Sequence, residues 1–347
     1  MPGLAAAALA LALTSSLQAP QLPMPPMQDL AVVAPPSDLD AQAWMLYSVD
    51  AGADIWSQDP DRRWAPASIT KVMTAILVVE EADLSAVVTV SEQAGNTAIG
   101  FPGQPEILPG EQWTVLELLE FLLVKSGNDV AAALAEHVSG SEADFVARMN
   151  ERAAEIGMES TTFRNPHGLD AEGHLSTARD LIRLGEAALE HPRLLATTAL
   201  YAVTFERPDR APVFIDNTNK LIGRFPGVYG LKTGDTLAAG TVLLTYLDTG
   251  SQQFLGVVLG SRDHLSASRD LLAYALETRG PADYFLAPLS GNEAEAALPE
   301  WMAPRLAAVG DLPDGLESLT SRYATPLSAR IVAGLRDLLP GLLGGGT

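Results

Sequence analysis

The chain of 347 residues contains no cysteine, which excludes disulfides and thiolate metal ligands. Positive charge is scarce: four lysines (Lys71, Lys125, Lys220, Lys232) are present, and 22 Lys and Arg face 43 Asp and Glu, for a formal net charge of -21. That balance excludes nucleic acid as a partner and adhesion to anionic lipid by charge alone. The five histidines (His137, His167, His174, His191, His264) show no His-x-x-x-His or Glu-paired spacing. No metal catalysis is therefore expected, and the histidines read mostly as surface or loop residues. The N-terminal apolar run Leu4–Leu13 is too short to cross a bilayer as a finished helix.

What is present is enough for a large core. With 47% hydrophobic residues, the chain has room for one large domain plus an appendage, or for two domains. The Leu4–Leu13 run has the length of a signal-peptide core, although no Lys or Arg precedes it, and a Pro-rich stretch from Pro20 to Pro36 follows as a linker. Residues 1–37 are read as signal peptide and linker, and the body is expected to be exported. After Pro281 the composition shifts to Ala, Leu, Pro and Gly. Residues 281–347 read as an extension whose helix 328–343 places Ile331, Leu335, Leu338, Leu339 and Leu342 on one face, a candidate for peripheral membrane contact.

Between these ends, residues 38–280 form the body. Ala43–Val49, the turn Asp50–Asp54 and Ile55-Trp56 predict a β-hairpin. A helix is predicted from near Pro66, because Ile69, Val72, Met73, Ile76 and Leu77 share a face. From about 95 to 200 the pattern is mostly helical, with helices over 114–124, 129–138 and 141–156 and a fourth opened by Thr177-Ala-Arg-Asp180 as a capping-box variant. Strands are predicted over 201–206, 240–247 and 253–260, and a last helix over 265–277. Strands on both sides of a helical insertion imply an α+β fold, a sheet domain carrying a helical subdomain, with a site in the cleft between them.

Three short strings concentrate the chemistry: Ser68-Ile-Thr-Lys71, Ser126-Gly-Asn128 and Lys232-Thr-Gly234. Ser68 falls in the first turn of a helix, where its own N–H has no partner within the helix and faces an oxyanion. Lys71, one turn on, brings an amine to the serine hydroxyl, which needs a base to act as nucleophile. A helix N-terminus, desolvation and a second cation such as Lys232 all lower a lysine pKa. Ser126 is placed to relay a proton and Asn128 to hold a peptide group. Lys232 and Thr233 offer a charge and a hydroxyl to a carboxylate. Gly234, on an edge strand, leaves room for a ligand backbone, and the N–H of Asp235 completes an oxyanion hole with that of Ser68.

These residues resemble the D-alanyl-D-alanine carboxypeptidase family, the S11-type low-molecular-weight penicillin-binding proteins. The likeness covers about 39–276 and includes Pro66–Thr74, Leu123–Asp129, Asn165-Pro-His-Gly-Leu-Asp170, Ser176–Asp180, Asn217-Thr-Asn219 and Gly230–Gly234. It implies a β-lactamase/transpeptidase-like fold and catalytic Ser68, Lys71 and Ser126. Asn128, Lys232, Thr233, Gly234 and Asp235 would bind substrate. It further implies acylation by peptidoglycan stem peptides ending in D-Ala-D-Ala, covalent binding of β-lactam antibiotics, and no cofactor. Asp235 departs from the family pattern by placing a carboxylate beside the site, and either Arg262 or His264 is the candidate to support the substrate carboxylate. A DD-endopeptidase, a β-lactamase and a catalytically silent peptidoglycan-binding protein share these residues, but the Glu-x-x-x-Asn pattern of a deacylating β-lactamase loop has no match near Asn165–Leu169.

Overall fold

A computed structural model describes residues 39–97, 107–207, 210–225 and 227–279. The signal-peptide and linker expectation for 1–37 and the helix expected at 328–343 lie outside these residues. Five antiparallel strands form the main sheet in the order β2-β1-β9-β8-β7. They are β1 (Ala43–Ser48), β2 (Ala53–Gln58), β7 (Val228–Thr236), β8 (Gly240–Asp248) and β9 (Gln253–Ser261). Period-two alternation sends successive side chains to opposite faces. Met45, Leu244, Tyr246 and Val257 enter one core, while Trp44, Leu46, Leu243, Leu247 and Val258 enter the other. Both faces are thus covered, the second by a helix over His264–Arg279 that contributes Ala267, Leu271, Leu272 and Ala275.

The first core holds helix α1 (Thr70–Glu81), whose residues Thr70 to Val78 are all buried. Helices α3 (Val115–Val124), α4 (Asn128–Ser139) and α5 (Glu142–Glu155) match the predicted spans to within a residue or two, and α6 (Ala178–Leu189) opens at the predicted cap. Two shorter helices, α2 (Glu92–Asn96) and α7 (Pro192–Thr198), were not foreseen, and the helix closing the sheet is α8. Neither were the short strands β3 (Val87–Thr89) and β4 (Gln112–Thr114), which pair with each other.

Two expectations need correction. The strand predicted at 201–206 exists as β5 (Ala202–Arg207), but it pairs with β6 (Arg210–Asp216) in a separate hairpin and not with the main sheet. Between α5 and α6, residues 157–177 form a loop fastened by side chains, in the gap the predicted helices leave. Thr177 does cap α6 by accepting from the N–H of Asp180, at 3.1 Å, yet the Asp180 carboxylate does not return to the cap. It instead accepts from the Ser160 N–H (2.8 Å), the Thr161 hydroxyl (2.7 Å) and Arg183 (2.6 Å), tying the loop to the helix. The reciprocal capping box lies at Thr114 and Glu117, opening α3.

Candidate active site

Ser68 lies in a single 3-10 turn, Ala67–Ile69, that leads into α1, so the helical reading of its surroundings holds with a tighter first turn. Ala67 has φ +46, an unusual state for a residue with a Cβ and one that points to a constrained site. From α1, Lys71 returns to Ser68: its Nζ is 2.9 Å from Ser68 Oγ. The other two ammonium donors go to Asn128 Oδ1 at 2.8 Å and to the backbone carbonyl of His167. Asn128, expected to face substrate, therefore also holds the lysine. Its partner on the turn, Ser126, has φ +77 and is half-buried, outside the three groups that Lys71 contacts.

Lys71 is wholly buried, and its pKa lies well below the usual lysine range. Burial is the largest cause, the Lys232 charge adds to it, and Asp129 opposes it. Lys232 is 1% exposed, donates to the Thr233 carbonyl at 3.0 Å, and is pulled by burial to about 7. Lys232 is thus poised to change protonation near neutrality, Lys71 is shifted toward its neutral amine, and neither is matched by a carboxylate at ion-pair distance among the described residues.

β7 is an edge strand, as the sequence predicts for Gly230–Thr236. A Cβ on Gly234 would stand 2.8 Å from the backbone nitrogen of Ser68 and 2.8 Å from Ala67 Cβ, so the strand presses directly against the nucleophile turn. Thr233 donates to Thr218 Oγ1 at 2.6 Å, and the Thr218 N–H donates to the Val124 carbonyl, linking strand to helical subdomain. Asp235 is exposed, and its charge reaches His264. Of the two candidates for a carboxylate support, Arg262 binds Asp40 at 3.1 Å with its side chain 90% exposed, whereas the His264 ring senses both Asp235 and Lys232. Of the two, Arg262 is thus engaged by Asp40, while the His264 ring is the one whose protonation the Lys232 charge influences.

His167 and His174 lie on a loop, as the sequence implies, but the surface reading fails for both. Neither is a surface group: they are 7% and 3% exposed. His174 Nδ1 accepts from the Arg164 N–H (3.1 Å), which fixes the other ring nitrogen as the donor to Thr70 Oγ1 (2.9 Å). Burial lowers the pKa of His174 to about 4 and that of His167 to about 3, so both rings are neutral. Along α1, Thr70 meets His174, Lys71 meets the His167 carbonyl, and Thr74 donates to the Pro166 carbonyl at 2.6 Å. The loop 164–175 is therefore laid along the face of α1 that carries the amine. Asp170 pins its far end to the strand side by accepting from Thr236 Oγ1 (2.6 Å) and the Ala238 N–H (3.0 Å).

The family model for D-alanyl-D-alanine carboxypeptidase, peptidase S11, matches residues 30–263. The D-alanyl-D-alanine carboxypeptidase DacF of Bacillus subtilis is 36% identical over 227 residues, covering 64% of this chain and 58% of that protein. Penicillin binding protein 5 from Haemophilus influenzae superposes with a TM-score of 0.65 at 29% identity, over 70% of this chain and 72% of that one. Penicillin-binding protein D2 from Listeria monocytogenes, solved in its ampicillin-bound form, gives a TM-score of 0.59 at 30% identity, over 70% of this chain and 98% of that one. The chain spans a little under three fifths of the length of the first curated relatives it matches, 58% and 57%. With the family model covering well over half of its length, the chain belongs to the D-alanyl-D-alanine carboxypeptidase family, peptidase S11.

Proposed function

We propose that the protein is a serine D-Ala-D-Ala carboxypeptidase that removes the terminal D-Ala of peptidoglycan stem peptides through an acyl-enzyme on Ser68. The observation that carries this reading is the buried Lys71 ammonium 2.9 Å from Ser68 Oγ, with its pKa lowered toward that of a working base. Neutral Lys71 takes the Ser68 proton as Oγ attacks the penultimate carbonyl carbon. The N–H groups of Ser68 and Asp235 stabilise the oxyanion, while cationic Lys232 and the Thr233 hydroxyl, its proton turned from Thr218 to the ligand, bind the terminal carboxylate. Collapse of the tetrahedral intermediate breaks the C–N bond, and the proton held by Lys71 passes through Ser126 to the departing D-Ala amine. Water then hydrolyses the ester, with Lys71 again as base. Asn128 holds both Lys71 and the substrate amide.

A penicillin, whose lactam carbonyl and carboxylate mimic the substrate end, acylates the same serine; the ampicillin-bound relative supports that reading. A reaction outside the cytoplasm is supported by the signal-like Leu4–Leu13 run; among the described residues no helix is long and apolar enough to cross a membrane. Intact-mass measurement with and without penicillin, combined with an assay of D-Ala release, tests the proposal. One adduct mapped to Ser68 together with D-Ala release is the expected result. A protein that is neither acylated nor active would overturn it.

A further inference from the structure

The string Asn217-Thr218-Asn219, which follows β6, makes no hydrogen bond to Ser68 or Lys71, yet it is tied to three elements that frame the site. Asn217 Nδ2 donates to the carbonyls of Thr198 (3.1 Å) and Leu200 (2.8 Å), at the end of α7. Asn219 Nδ2 donates to the Gly230 carbonyl (3.3 Å), on β7 just before Lys232. Between them the Thr218 N–H donates to the Val124 carbonyl (3.1 Å), at the end of α3 and just before Ser126. Both asparagines are buried, and Asn217 Oδ1 accepts from the Asn219 N–H (2.8 Å), which closes the turn on itself. The Thr218 side chain is thus held in place by bonds that its own hydroxyl does not make.

That hydroxyl meets Thr233. Thr233 donates to Thr218 Oγ1 at 2.6 Å, and Thr218 Oγ1 has no other hydrogen-bond partner among the described residues. Thr233 is buried, and Lys232 donates to its carbonyl at 3.0 Å, so the charge and the hydroxyl that face a carboxylate converge on one residue. A threonine hydroxyl has one proton to give and two lone pairs with which to accept, so Thr233 binds an anion only by turning its proton away from Thr218. Its oxygen then faces Thr218, whose own proton is free to point at it. Rotation of both hydroxyls produces a chain in which Thr218 donates to Thr233 and Thr233 donates to the carboxylate, each oxygen keeping its own hydrogen. A hydroxyl that accepts one hydrogen bond donates a stronger one, and here the final acceptor is charged.

We propose that Thr218 is a positioning residue of the carboxylate subsite, holding the Thr233 hydroxyl in the free enzyme and donating to it when a terminal carboxylate is bound. The assignment rests on the carboxypeptidase reading, and the test separates the two. The full chain and its Thr218→Val and Thr218→Ser variants are acylated with benzylpenicillin and with its methyl ester, in which the carboxylate is masked. Valine keeps the branched shape and the backbone bonds but removes the hydroxyl. Acylation by the free acid is therefore expected to slow about three- to tenfold, the range of one hydrogen bond, while acylation by the ester is unchanged. Serine keeps the hydroxyl and is expected to recover most of the loss. With Nα,Nε-diacetyl-L-lysyl-D-alanyl-D-alanine, Thr218→Val is expected to lower kcat/KM by the same factor through KM, with little change in kcat. Thr218→Ala serves the same comparisons if the valine variant does not melt cooperatively. Equal slowing with acid and ester would make the hydroxyl merely structural and overturn the proposal, as would a loss confined to kcat, an acid rate equal to that of wild type, or a serine variant that recovers nothing. A wild type that is neither acylated by penicillin nor active in D-Ala release would overturn the carboxypeptidase reading beneath it.

Discussion

At the residue scale, two lysines held in a dry site decide the chemistry. A lysine in water is protonated at neutral pH and useless as a base. Burial of Lys71, reinforced by the Lys232 charge, brings it into range, while the carbonyl of His167 and the amide of Asn128 fix its orientation toward Ser68. Lys232 must do the opposite and keep its proton to hold a carboxylate, and its pKa of about 7 sets the upper limit. The kcat/KM profile is therefore expected to be bell-shaped, rising as Lys71 loses its proton and falling as Lys232 does in the free enzyme around pH 7. Because the two charges interact, both limbs belong to the pair. Lys71→Arg replaces the base with a group that stays protonated, so acylation by a fluorescent penicillin should slow by at least about a hundredfold with the melt unchanged in cooperativity. An acylation rate within a few fold of wild type would place the base elsewhere.

At the scale of elements, the loop 164–175 carries more than its composition announces. Gly168 has φ +86, and a Cβ there would stand 2.0 Å from the Ala67 carbonyl oxygen. That contact is backbone, which no rotamer change relieves. Gly168→Ala should cost about 3 kcal/mol and displace the nucleophile turn, so both the melting temperature and the acylation rate should fall; retention of both would show that the turn has room to shift. The two neutral histidines couple the same loop to acid. A ring with a folded pKa of about 4 and an unfolded value near 6.5 stays unprotonated in the fold while the unfolded chain takes up the proton. Stability from His174 is thus lost as pH falls from 6.5 to 4, at up to about 1.4 kcal/mol per pH unit, and His167 extends the loss toward pH 3. The informative measurement is the difference between proteins. Melting temperature against pH should slope less steeply in His174→Gln than in wild type over this window, and parallel curves would show that the ring titrates freely in the fold.

For the whole molecule, both faces of the sheet and α1 are buried within residues 43–276, and each of the three motifs lies on an element of that body. The proposal that 38–280 is the catalytic unit and 281–347 an extension follows from this placement. A chain ending at Ala324 is expected to melt cooperatively and to be acylated by penicillin at the full-length rate. A folded but unreactive truncation would make the C-terminal segment part of the active unit. The excess of acidic residues keeps this body self-repelling, which favours solubility and leaves Lys71 and Lys232 as buried amines in a negative molecule.

The sequence by itself determined the longer helices and the nucleophile pair. The 3.6-residue spacing of Ile69, Val72, Met73 and Ile76 is local, and the three-residue step from Ser68 to Lys71 brings the two together in any helix. It also determined the edge character of Gly230–Thr236, since glycines beside a lysine serve neither a core strand nor a helix well. The tertiary structure decided what depends on contacts across long stretches of chain. Asp180 has the spacing of a capping residue, yet its carboxylate is drawn to Ser160 and Thr161, twenty residues away. Strand β5 alternates like a sheet strand but pairs in its own hairpin, because period two states that a face is buried and not which strand lies beside it. His167 and His174 look polar in one dimension. They become neutral core groups only where the loop folds back on α1, and burial then sets their protonation and that of the lysine they accompany.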